Sequence, residues 1–233
     1  MKSNLTDKIA LVTGANGGLG TFVTRAILDC GATVVGLSPN IQQSAFDHPS
    51  FVAWPAEISS GDDAKKAIDG MIAKFGKVDV LAHLVGGFAG GKTIAETDDA
   101  TFQRMFDMNL NSAFYLLRSV VPHMRQACSG RIIGIGSRAA EDPGPGVGAY
   151  SASKAALVSL IRTVAAENKN AGLTANVLLP GTMDTPANRR DMPAADFAAW
   201  VQPSSVASLI TWLAGDSGKD VNGAVIPVYG SQL

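Results

Sequence analysis

The 233-residue chain carries 19 Lys plus Arg against 20 Asp plus Glu, and this formal net charge of -1 excludes a general electrostatic pull on nucleic acid or an anionic membrane. Charged residues make up only 17% and glycines number 25, so a large buried core with many tight backbone turns is expected. The 2 cysteines, Cys30 and Cys128, match no metal or redox spacing; with no long apolar run and no signal-peptide pattern, a cytoplasmic, metal-free protein acting on a small molecule is expected.

In chain order, residues 8–13 form a short apolar run that ends at a glycine cluster, and 22–30 carry apolar residues at helical spacing, which predicts strand, tight turn, helix. Residues 32–37 and 51–56 are the next strands. Residues 62–75 are an amphipathic helix with Ala64, Ala67, Ile68, Met71, Ile72 and Phe75 on one face. A fourth strand is expected at 78–85, a long helix at 101–125 and a fifth strand at 130–136. A helix at 149–170, a strand at 174–179, a helix at 204–214 and a last strand at 224–228 complete the chain.

Strands apolar on both faces and separated by helices require a parallel sheet covered on each side. The fold class is therefore α/β, a doubly wound parallel sheet of Rossmann type with helices on both faces. No repeat or linker divides the chain, so one domain over 1–233 is expected. Its irregular segments, 86–97, 141–148 and 182–200, each follow the carboxyl end of a strand, where such sheets bind ligands.

The run Thr13-Gly14-Ala15-Asn16-Gly17-Gly18-Leu19-Gly20 joins the first strand to the first helix. Gly14, Gly18 and Gly20 can serve the turn, a close approach to a pyrophosphate and helix packing, and the helix N-terminus favours negative charge. A glycine-rich turn without ligand is the alternative. Tyr150 and Lys154, four apart at the start of a helix, share one face. At about 4 Å and an effective dielectric near 20 their attraction is on the order of 4 kcal/mol. That is roughly three pKa units, so Tyr150 is expected to titrate near neutrality. Ser137, at the end of the fifth strand, can hydrogen-bond a substrate oxygen.

Taken together, Thr13-Gly-x-x-x-Gly-x-Gly20, Asn109-Leu110, Ser137, Tyr150-x-x-x-Lys154 and Pro180-Gly181 resemble the short-chain dehydrogenase/reductase family over nearly the whole chain. The resemblance implies Tyr150 as acid/base, Lys154 on the nicotinamide ribose, Ser137 orienting the carbonyl, and Asn109 holding a proton-relay water. It places Gly14, Asn16, Gly18, Leu19, Gly20, Ser38, Glu57, Ile58, Val85, Gly86, Pro180, Gly181 and Thr185 around NAD(P)H, with Glu57-Ile58 beside the adenine and Thr185 at the carboxamide. NADP is slightly favoured over NAD, because Ser38 stands where an acidic residue normally selects NAD. A homodimer or homotetramer is expected through the helices at 101–125 and 149–170.

Where many members of the family have Asn-Asn-Ala-Gly, this chain has His83-Leu84-Val85-Gly86. His83 is expected to be a strand histidine satisfied by a backbone partner. The segments 85–91 and 184–200 resemble the corresponding loops of dihydropteridine reductases, a branch that reduces quinonoid dihydropterin. Phe88, Met183 and Trp200 are candidates for an apolar, stacking surface that meets a flat substrate, or alternatively for packing the loops onto the domain. The branch lacks the serine found here at 137, so a general carbonyl or 3-ketoacyl reductase is the alternative, followed by a non-catalytic NAD(P) sensor.

Overall fold

In the computed structural model, which describes residues 3–231, strand and helix alternate as the hydrophobic periods require. The strands are β1 (Ile9–Thr13), β2 (Thr33–Ser38), β3 (Phe51–Pro55), β4 (Val80–His83), β5 (Gly130–Ile135), β6 (Leu173–Pro180) and β7 (Val225–Val228). They form a 7-stranded parallel sheet in the order β3-β2-β1-β4-β5-β6-β7. The direction of winding reverses between β1 and β4, whose last residues, Thr13 and His83, are register partners. Sheets of this kind bind ligands beyond the carboxyl ends at that switch point.

Two apolar layers sandwich the sheet. Ala10 and Val12 of β1 face the layer under α1 (Gly20–Leu28) and α7 (Pro203–Ala214), while Leu11 faces the layer under α2 (Gly61–Phe75), α4 (Ser112–Gln126) and α5 (Gly148–Glu167). Val80 and Ala82 against Leu81 divide in the same way. This is why each strand reads as a continuous apolar run. Leu11, Leu81 and Ile132 are fully buried, each worth about 1.5–3 kcal/mol relative to exposure. Local signals set the helix ends: the Ser60 side chain caps α2 by accepting from Asp63 N, and Gly76 closes it at φ 78°.

Four expectations need correction. β4 stops at His83 and does not run to residue 85, because the N–H groups of Leu84 and Val85 donate to the Thr13 hydroxyl at 3.0 and 3.3 Å. The helix expected at 101–125 is α3 (Asp99–Phe106) followed by a wider π turn at Asp107–Asn111 and then α4. That turn carries Asn109 inward to complete burial. α5 ends at Glu167, three residues early, with the Asn168 side chain donating to Val164 O at 2.7 Å. The segment 182–200, expected to be irregular, contains α6 (Pro186–Asp191), capped by the Thr185 side chain with Pro186 in its first turn. Among the described residues, no helix is long and apolar enough to cross a membrane.

Candidate active site

The glycine loop folds back on itself before α1. Gly14 N donates to Leu37 O at 2.8 Å and Gly17 N to Gly14 O at 2.9 Å. A Cβ on Gly20 would lie 1.9 Å from Gly14 O, so only glycine lets the helix start this close to the turn. Asn16 and Gly18 are exposed at the tip, whereas Leu19 is buried. Thr185 stands across from the loop, its Cγ2 3.2 Å from where a Gly18 Cβ would be.

Around this loop lie the other residues that sequence placed near a dinucleotide. Ser38 closes β2, and its buried Oγ has no hydrogen-bond partner. Glu57 is exposed and Ile58 half-buried just past β3, whose outgoing chain is tied back by Ala56 N to Ser38 O. Pro180 ends β6, and Gly181 N donates to Val228 O at 3.0 Å. The orphaned Ser38 hydroxyl, the exposed loop tip and the α1 N-terminus make a cradle that fits a dinucleotide.

Tyr150 lies in the first turn of α5, with Ser137, just beyond β5, beside it and acting to lower its pKa. Lys154, one turn further, is 4% exposed and donates to Ile135 O at 2.8 Å. Asn109 accepts from Gly87 N at 2.9 Å through Oδ1. Its Nδ2 donates to Gly87 O at 3.1 Å and to Ser153 Oγ at 3.0 Å. Gly86 sits where a Cβ would come within 2.7 Å of Asn109 Oδ1 and 2.9 Å of Lys154 Nζ. The four expected catalytic residues therefore converge on one wall, with Val85 and Gly86 facing it from the end of β4.

Electrostatically the wall differs from expectation. Burial raises the Tyr150 pKa above its ordinary value of 10.0, only partly opposed by Ser137, so the expected fall toward neutrality is not found. The reason is desolvation: Lys154 is turned to a backbone carbonyl, and its own pKa is lowered to about 8 by burial. His83 is bonded to a side chain and not to the backbone as expected, Nδ1 lying 3.1 Å from Thr13 Oγ1. Since Thr13 Oγ1 already accepts from two amides, its proton is directed at Nδ1, which leaves Nε2 as the protonated nitrogen, buried without a partner. Burial, and then the Lys154 charge, lower the His83 pKa to about 3, so the ring is neutral.

Of the three residues expected to meet substrate, only Phe88 reaches the wall. Its ring meets Tyr150 edge-on at 5.0 Å and is 66% exposed. Trp200 is 9% exposed and packs on Phe197 at 4.8 Å, and Met183 packs against the core below. Both hold the 182–200 segment in place. Beyond Phe88 opens a cavity of about 540 Å³ between the 88–92 loop, α3, the start of α5 and α6. The loops over it are joined by Gly91 N donating to Gly146 O at 2.9 Å. Sequence reasoning left out Ser153 and the role of Thr13. The available signal was a hydroxyl at a strand end directly before the glycine turn.

A profile of the family described as short chain dehydrogenase matches residues 8–195. An acetoacetyl-CoA reductase from Allochromatium vinosum is 29% identical over 240 residues, covering 96% of this chain and 97% of the relative. A short-chain type dehydrogenase/reductase structure from Mycobacterium ulcerans superimposes with a TM-score of 0.92 at 25% identity, covering 98% of this chain and 90% of that one. The 3-ketoacyl-(acyl-carrier-protein) reductase from Brucella melitensis, complexed with NADH, superimposes with a TM-score of 0.87 at 23% identity over 98% of this chain and 99% of that one. A profile match across most of the chain, in the same seven-stranded frame, identifies it: the chain belongs to the short-chain dehydrogenase family of NAD(P)-dependent oxidoreductases.

Proposed function

We infer that the chain, as one domain over 1–233, uses NAD(P)H to reduce a small planar carbonyl or quinonoid compound. The observation that carries this reading is the meeting of Ser137, just beyond β5, with Tyr150 in the first turn of α5, and of Lys154 one turn further on, held on Ile135 O. Because burial raises its pKa, Tyr150 keeps its proton at neutral pH and is ready to donate it to a substrate oxygen. Ser137 orients that oxygen. Lys154 would bind the cofactor ribose, and its charge would compensate the phenolate as the proton leaves. The relay water that the resemblance assigns to Asn109 has less support, since both amide donors are engaged with Gly87 and Ser153; what the contacts favour is a hold on the 86–88 turn.

The bound nicotinamide supplies the hydride. Gly14, Asn16, Gly18, Leu19, Gly20 and Thr185 would hold the dinucleotide, with Ser38 at the adenosine ribose and Val85, Gly86, Pro180 and Gly181 lining its course. With Ser38 and no carboxylate at the end of β2, both cofactors are expected to bind, with a modest lean to NADP. Phe88 is the surface for a flat substrate. Exposed Phe102 and Phe114 on α3 and α4 support the expected homodimer or homotetramer.

Ser137 also favours a second reading, a general carbonyl or 3-ketoacyl reductase, in line with the name of the Allochromatium relative. A comparison of kcat/KM for quinonoid dihydropterin and a ketone panel, in wild type and Ser137→Ala, separates the two. Retained pterin turnover in the variant supports the quinonoid substrate. Absent pterin turnover with efficient, Ser137-dependent ketone reduction supports the second reading.

A further inference from the structure

The cavity beyond Phe88 is larger than a reacting carbonyl and its ring require, being of the size that holds a whole small ligand. Three charged residues line it: Lys92, Arg104 and Asp191. Lys92 is already neutralised by Asp98, 3.0 Å away. Arg104, in the last turn of α3, makes no ion pair, side-chain hydrogen bond or ring contact among the described residues. Asp191, at the end of α6, likewise makes no ion pair there, so the two opposite charges border one cavity without joining across it. Phe88, 66% exposed, gives the cavity its apolar surface, and Thr97 and Thr101 add two hydroxyls.

We propose that Arg104 anchors a carboxylate arm of the substrate, making the acceptor an organic acid with a flat or apolar body that lies on Phe88 and a reacting group at Tyr150. A guanidinium without an internal partner offers a planar fork of donors that matches a carboxylate in two hydrogen bonds. Within the cavity it is the one cation not already paired, which matches a single negative charge. The carboxylate of Asp191 disfavours a doubly charged phosphate in the same space. The cavity that Arg104 borders is lined also by Ala149, the residue before Tyr150, and by Phe88, whose ring meets Tyr150 at 5.0 Å. The idea rests on reduction at Tyr150 for the word substrate, but the anion site itself does not.

The test therefore has two arms. In the first, titration calorimetry compares 1-naphthoate with 1-naphthamide on wild type, Arg104→Gln and Arg104→Lys, and needs no turnover. Wild type should bind the acid at least tenfold more tightly than the amide. That preference should disappear in Arg104→Gln and partly return in Arg104→Lys, while Asp191→Asn should bind the acid as well as or better than wild type. In the second, kcat/KM for aryl ketones bearing a carboxylic acid is compared with that for their methyl esters. The acid-to-ester ratio should fall from ten or more to about one in Arg104→Gln, through KM more than kcat. Equal binding of acid and amide to wild type, or weaker acid binding in Asp191→Asn, would overturn the anchor. Failure of every ketone with naphthoate still bound through Arg104 would instead count against carbonyl reduction and leave the anion site standing.

Discussion

Asn109 grips Gly87 with both ends of its amide, Oδ1 accepting from the Gly87 N–H at 2.9 Å and Nδ2 donating to the Gly87 carbonyl at 3.1 Å. A residue at the wide turn between α3 and α4 thus fixes the backbone immediately before Phe88. Replacing it with alanine leaves the Gly87 polar groups and Ser153 without these bonds, a loss of about 1–3 kcal/mol for each buried group left unsatisfied. Asn109→Ala should lower Tm by several degrees and reduce turnover, because the Phe88 loop is no longer held against Tyr150. Full activity with an unchanged melting curve would show that other contacts fix this turn.

Tyr150→Phe should retain cofactor affinity while losing turnover by about 10²-fold or more, the range typical of a lost general acid. Nicotinamide absorbance reads the rate and ligand-dependent fluorescence reads the affinity. Unchanged turnover at every pH would mean that solvent, not Tyr150, delivers the proton.

His83 gives the acid side of the stability profile. Its pKa is lowered to about 3 in the fold from an ordinary 6.5, so the unfolded chain binds a proton between those values that the folded chain refuses. Stability should fall as pH drops from about 6.5 toward 3, by up to roughly 1.4 kcal/mol per pH unit from this group alone. In His83→Asn, urea midpoints measured from pH 7 to pH 4 should decline less steeply. An identical slope in the variant would place the acid sensitivity elsewhere.

Lys154 acts on the alkaline side with the same sign. With its pKa lowered to about 8 from 10.5, the unfolded chain holds more protons between those values, so this group contributes rising stability from about pH 8 to 10.5. Tyr150, with its pKa raised, opposes that trend above about pH 10. Lys154→Met should flatten the rise, as measured by denaturant midpoints between pH 7.5 and 9.5, and should also weaken cofactor binding.

Cofactor choice turns on Ser38, whose buried hydroxyl is unpartnered at the end of β2. The ratio of kcat/KM for NADPH over NADH should stay below about 100-fold, or roughly 2.7 kcal/mol. Ser38→Asp should shift it tenfold or more toward NADH by placing a carboxylate at the ribose 2′ position. A larger native preference would reveal a discriminating contact at another residue.

Local chemistry alone determined the alternation of strand and helix and the glycine turn before α1. The period of apolar residues reports burial, and at position 20 only a residue without a Cβ lets α1 begin against the Gly14 carbonyl. The spacing of Tyr150 and Lys154 likewise fixed their shared face, since one helical turn is a local quantity. Tertiary structure decided their ionisation. The expected attraction between them was set aside by desolvation and by the pull of Ile135 O on Lys154, a carbonyl 19 residues away in sequence. It also decided where β4 ends, because Thr13 takes the Leu84 and Val85 amides across a gap of about 70 residues. Trp200 and Phe88 were equal candidates as aromatic residues in loops, and only packing separated them, burying one on Phe197 and leaving the other over Tyr150. Such long-range contacts have no period or spacing along the chain, so burial, pKa and the Arg104 cavity emerge only when the sheet brings its carboxyl ends together.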